Sequence, residues 1–171
     1  ISAIARRELA AYFGSPTAYV LMGVYLVLSG YFFYSDVALF VTFGAQVLST
    51  GLWRFVFVDY RLVTLLVLPL VTMRLFAEER KLGTIELLWT LPVKDYQLIL
   101  GKFLAAWGFF AVIVLLTMVP FVVFRIFFPF DLGPPIAGFT GLVLLGTAFI
   151  ACGIAASTLT ENQVVAAMLT Y

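Results

Sequence analysis

Nine of the 19 charged residues in this chain (ten Lys and Arg, nine Asp and Glu) fall between Met73 and Lys102. Arg74, Arg80, Lys81, Lys94 and Lys102 stand there against Glu78, Glu79, Glu86 and Asp95. Gly83 and Pro92 bracket a short amphipathic helix over about Thr84 to Leu91, with Ile85, Leu88 and Trp89 on one side and Glu86 and Thr90 on the other. Glu78, Glu79 and Glu86 lie near helix starts, where a carboxylate interacts favourably with exposed N–H groups by ~0.3–1 kcal/mol. Gly83 permits a sharp change of direction and Pro92 stops the helix. The chemistry such a segment offers is ionic and apolar docking against another protein.

Other chemistries are thinly represented. The absence of histidine removes imidazole-ligated haem, most zinc sites and histidine acid–base catalysis. Cys152 is the only cysteine and lies in an apolar run, which excludes an intrachain disulfide and suggests a buried, inert thiol. Ser29, Thr64, Thr117, Thr147 and Ser157 lack a His or Lys base nearby, so helix packing is their expected role. No carbonyl filter or acidic ring suggests a channel. No Gly-x-x-x-x-Gly-Lys-Ser/Thr loop occurs, so any nucleotide would be bound elsewhere. A net charge of +1 without a separate basic patch gives no argument for nucleic acid.

The surrounding sequence is oily. Of 171 residues, 64% are hydrophobic and 11% charged, and the mean hydropathy is +1.12. A soluble domain carries about 25% charged residues, and this chain has too few to cover a wet surface. Several apolar runs approach the ~20 residues that cross hydrocarbon as a helix. The expected fold is an all-α, polytopic transmembrane bundle forming one domain over 1–171. The chain starts at Ile1 and stops inside an apolar run, which suggests part of a longer polypeptide, and no cleavable signal is evident.

Residues 1–14 are too polar at Arg6, Arg7 and Glu8 to span. Ile4, Ala5, Leu9, Tyr12 and Phe13 recur at helical spacing, with the charges on another face, which suits a helix in the membrane interface. Spans are expected at about 17–34, 55–76, 103–124 and 136–159, with a fifth beginning at 164 and a polar connection from Asp36 to Arg54. Asp59 and Arg61 reach the rim in this scheme, no ionisable group lies mid-bilayer, and Pro120 kinks the third span. Gly138, Gly141, Gly146 and Gly153 suit close packing of the fourth. Placing the N-terminus inside puts seven basic residues on the cytoplasmic side (Arg6, Arg7, Arg74, Arg80, Lys81, Lys94, Lys102) against Arg54, Arg61 and Arg125 outside.

Particular motifs go further. Ala5-Arg6-Arg7-Glu8-Leu9, followed by Tyr12-Phe13-Gly14-Ser15-Pro16, resembles the opening of bacterial ABC-2 type transporter permeases. Pro69 to Arg80, Gly83-Thr84-Ile85-Glu86-Leu87-Leu88, Leu91-Pro92-Val93 and Leu100-Gly101-Lys102-Phe103 are similar to that family's intracellular loop. Leu159-Thr160-Glu161-Asn162-Gln163 is similar to its turn between the fourth and fifth spans. Within the family, the likeness points to permeases associated with gliding motility and to the one serving nitrous oxide reductase maturation. The family typically has six spans; here the fifth is cut off and the sixth is absent.

The resemblance implies that Arg6, Arg7, Glu8, Tyr12 and Phe13 belong to an interfacial connecting helix. It implies that a coupling segment over 77–95, with Glu78, Glu79, Arg80, Gly83, Thr84, Glu86, Leu87 and Trp89, docks on an ATP-binding-cassette ATPase subunit. ATP and Mg would then bind that partner and the permease itself would be non-catalytic. A second permease copy or homologue, membrane lipid and an extracytoplasmic accessory subunit complete the implied partners. The implied location is the bacterial cytoplasmic membrane and the implied direction is export. A non-transporting scaffold or assembly subunit is the alternative.

Overall fold

The computed structural model describes residues 2–43, 51–72 and 95–159. Among these residues there are six helices: α1 (Ser2–Gly14), α2 (Pro16–Phe43), α3 (Leu52–Thr72), α4 (Asp95–Thr117), α5 (Val119–Phe127) and α6 (Gly133–Leu159). Four stretches, 16–42, 52–72, 99–127 and 133–157, are long and apolar enough to cross a membrane, the third comprising most of α4 together with α5. The all-helical bundle expected from composition is the fold observed. The expected fifth span lies outside the described residues.

Local chemistry sets the helix ends. Ser15 separates α1 from α2: its carbonyl accepts the Ala18 N–H at 3.2 Å and its hydroxyl meets that of Thr17 at 2.7 Å. Pro16, lacking an N–H, occupies the first position of α2, where that group would be unbonded anyway. α2 then continues past Tyr34, where the sequence suggested an end, as far as Phe43. No Gly or Pro lies between Ser35 and Phe43. Phe33, Asp36, Val37 and Phe40 share one helical face; Phe33 is buried in the core, and Val37 and Phe40 pack against it. At 1.5 Å per residue, the 28 residues of α2 extend ~42 Å, more than the ~30 Å of hydrocarbon.

α3 starts after Gly51, whose φ of 80° is a left-handed conformation that glycine adopts without strain. The Arg54 N–H then closes the first turn on the Gly51 carbonyl at 3.2 Å. The third span is interrupted at Met118, beside the Pro120 at which the sequence predicts a kink. Met118 forms a turn, with its N–H shared between the carbonyls of Val114 (3.1 Å) and Leu115 (3.2 Å), and Pro120 falls in the first turn of α5. α6 begins before its two prolines, because the Asp131 carboxylate accepts the Gly133 N–H at 3.1 Å.

The small residues of α6 act as expected at three positions. A methyl group on Gly138 would strike the Phe57 ring, one on Gly146 the Phe110 ring, and one on Gly153 the Thr72 side chain. Gly141 has open space beside it. The buried side chains form two groups. One joins Phe33, Val56, Tyr60, Phe110, Phe121, Phe139 and Ile150; the other joins Ala18, Tyr25, Val63, Val67, Phe109 and Ile113. Outward surfaces are apolar too. Val20, Val24, Val27, Tyr31 and Tyr34 make an exposed stripe along α2, a surface suited to acyl chains.

One expectation requires correction and another holds. Cys152 is exposed on α6, because it shares with Ala151 and Ala155 the face turned away from the buried Ile150 and Ile154, in a bundle whose solvent is lipid. The hydroxyls of Ser29, Thr64, Thr117 and Thr147 do belong to packing: each donates to the carbonyl four residues earlier, at 2.7 Å.

Candidate functional site

The described part of the expected docking end is the junction of α1 with α4. α4 leads directly out of the polar segment, beginning at Asp95. About two turns into it, the Lys102 side chain is only 2% exposed and its Nζ donates to Glu8 Oε2 of α1 at 3.3 Å. The other Glu8 oxygen accepts from Arg7 Nη2 at 2.9 Å, while Arg7 itself stays largely exposed. One carboxylate thus joins a buried ammonium to a surface guanidinium.

Apolar contacts extend this joint. Leu9 comes so close to Gly108 that a methyl group there would lie 3.0 Å from its Cδ1. One turn on, Tyr12 stacks on Phe109 with centroids 5.4 Å apart, and Phe13 meets the same ring edge-on at 5.7 Å. A charge bridge and an aromatic clamp therefore fix α1 along α4. Arg6 and Arg7 lie on its free face.

The sequence placed all three charges of α1 on its polar face, whereas Glu8 turns inward with Leu9 and Tyr12. The buried Lys102 is the reason, since it supplies the counter-charge. Among the expected site residues, Glu8, Tyr12 and Phe13 are brought together. Glu78, Glu79, Arg80, Gly83, Thr84, Glu86, Leu87 and Trp89 lie outside the described residues. Lys102 was legible only as part of a motif.

A second polar group lies between α2 and α3. The Tyr25 and Thr64 hydroxyls meet at 2.9 Å in the interior. Among the described residues, one carboxylate oxygen of Asp36 (8% exposed) and the buried Tyr60 hydroxyl have no hydrogen-bond partner. Asp59 of α3 lies within electrostatic reach of Asp36. The sequence reading had no ionisable group buried in a span, because it ended the first span before Asp36. Among the described residues, no group of three or more acidic or Cys side chains could hold a metal ion.

Four long apolar helices, outward apolar faces and interior hydroxyls bonded to their own helix define a multi-pass helical membrane protein. Its family follows from comparison: residues 54–170 match the family model described as ABC-2 family transporter protein. That match covers more than half of the chain, and the chain belongs to this family. It is accordingly a permease subunit of an ABC transporter, in a family that works with an ABC ATPase and is typically non-catalytic in its membrane part. No curated protein and no solved structure gives a match.

Proposed function

We propose that this chain is the membrane half of an ATP-driven exporter, with residues 77–95 docking on the partner ATPase at the cytoplasmic face. The observation that supports this reading is the Glu8–Lys102 bridge. It ties the interfacial helix to the transmembrane helix that the polar segment enters. A push delivered at that segment reaches α4 at Asp95 and passes through Lys102 to α1, so the two helices move as one body. Two permease copies or homologues, moved in this way by closure of their ATPases, would alternate access to a path between them. The work available is the difference in docking free energy between the two states. The basic-residue count supports an N-terminus on the cytoplasmic side, and the sequence likeness to bacterial permeases supports a bacterial cytoplasmic membrane. The likeness to gliding-motility and nitrous-oxide-reductase-maturation permeases rests on sequence motifs and fixes no substrate.

The test is reconstitution of the full-length permease with its co-purifying ATPase. Glu79→Lys and Gly83→Pro should abolish transport-linked ATP hydrolysis while leaving membrane insertion intact. Unchanged hydrolysis in both variants would remove the assignment of 77–95 as the coupling segment. A permease that purifies without any ATPase would favour the scaffold reading instead.

A further inference from the structure

At the end of the bundle opposite α1, a groove of about 520 Å³ lies between the start of α3 and the start of α6. Arg54 and Arg61 of α3 line it together with Trp53, Phe57 and Pro134. The two arginines are seven residues apart on one helix face, a rise of ~10.5 Å. Among the described residues neither makes an ion pair or a side-chain hydrogen bond. Arg125, at the same end, is by contrast occupied by the Phe130 carbonyl at 2.6 Å and by the Phe130 ring.

The electrostatics of this groove are one-sided. The first turns of α3 and α6 both border it, through Gly51, Trp53 and Arg54 on one side and Pro134 on the other. Helix starts carry the positive end of the helix dipole, which favours an acidic residue. The first turn of α3 has no acidic residue and carries Arg54 instead. Asp131 is engaged in capping α6, and half-buried Asp59 pairs with neither arginine. Two guanidiniums and the start of α3 thus border the groove without an ion-pair partner among the described residues, while the start of α6 is already capped by Asp131, beside the apolar walls of Trp53 and Phe57.

We propose that this groove binds the phosphate of an anionic membrane amphiphile, with Arg54 and Arg61 gripping the phosphate oxygens and Trp53 and Phe57 lying along the acyl chain. A guanidinium offers paired N–H donors that match phosphate geometry, and it sheds water more readily than an ammonium. The indole adds a surface suited to the headgroup boundary. Export direction and ATPase docking play no part in this assignment.

The experiment uses the full chain in nanodiscs, with Trp89, Trp107 and any other tryptophan replaced by phenylalanine so that Trp53 alone reports. Its fluorescence is quenched by phosphatidylglycerol or phosphatidylcholine brominated in the acyl chain. The anionic lipid should reach half-quenching at a mole fraction on the order of tenfold lower, since each basic residue near a membrane surface contributes several-fold in affinity. Arg54→Gln/Arg61→Gln should abolish that preference, and Arg54→Lys/Arg61→Lys should retain most of it, with helicity unchanged in both. Soluble glycerol 1-phosphate separates the sources. An arginine-dependent shift of Trp53 emission without lipid preference assigns the site to free phosphate. Equal quenching by the two lipids with no response to glycerol phosphate overturns the proposal. So does a lipid preference that survives the glutamine pair.

Discussion

Removing the Glu8 carboxylate tests the joint between α1 and α4 directly. Glu8→Gln preserves shape but leaves the Lys102 ammonium, 2% exposed, without the anion 3.3 Å away. Breaking a buried pair on one side costs ~3–5 kcal/mol, because a desolvated charge is stranded. Glu8 is 13% exposed, and Lys102 makes a further interaction, which brings the figure to about 2–3 kcal/mol. Lys102→Met should be milder, about 1 kcal/mol, since Glu8 stays paired with Arg7 at 2.9 Å and retains some water. The double variant Glu8→Gln/Lys102→Met should resemble Lys102→Met alone, as no charge is then stranded. In thermal unfolding of the detergent-solubilised permease, the Glu8→Gln loss corresponds to a fall of about 5–10 °C at this chain size. Limited proteolysis should also cut α1 faster in that variant. Equal effects of the two single variants, or no rescue in the double, would refute the claim that Lys102 depends on Glu8.

The same unfolding assay separates the glycines of α6. Gly146→Ala should destabilise by about 1–3 kcal/mol, because its methyl group meets the Phe110 ring. Gly141→Ala, in open space, should be neutral or stabilising by up to about 1 kcal/mol through helix propensity; a reversed order would contradict the packing described. Asp36→Asn should raise the midpoint by an amount equivalent to about 1–2 kcal/mol, since it removes a buried carboxylate with an unbonded oxygen beside Asp59. A lower midpoint would mean that the charge is compensated in the intact assembly.

How far each feature could be read from sequence depends on the range of the interaction behind it. Hydropathy is a local sum, so the apolar helices were legible, as were the helix break beside Pro120 and the packing role of three of the α6 glycines. The far end of α2 was not. Asp36 reads as an exit from the membrane when hydropathy is averaged, while the face shared by Phe33, Val37 and Phe40 carries the helix onward. The pairing of Glu8 with Lys102 spans 94 positions, and no periodic signal links residues so far apart. In sequence, Glu8 is one charge among three on an interfacial helix; only the position of α4 decides that it faces inward. The charge-rich segment was conspicuous as an island in an oily chain, and Lys102 and the start of α4 are the parts of it that the structure describes.

The three filled glycines of α6 restrict how such a bundle can rearrange. Phe57 and Thr72 from α3, and Phe110 from α4, sit like pegs in sockets along one rod. Sliding that rod by a turn would require all three pegs to lift at once and would leave voids behind them. The cheaper motion carries the three rods as a single block. Beyond the turn at Met118, α5 is pinned to the same block, because its Phe121 ring is buried against Phe57, Tyr60 and Phe139.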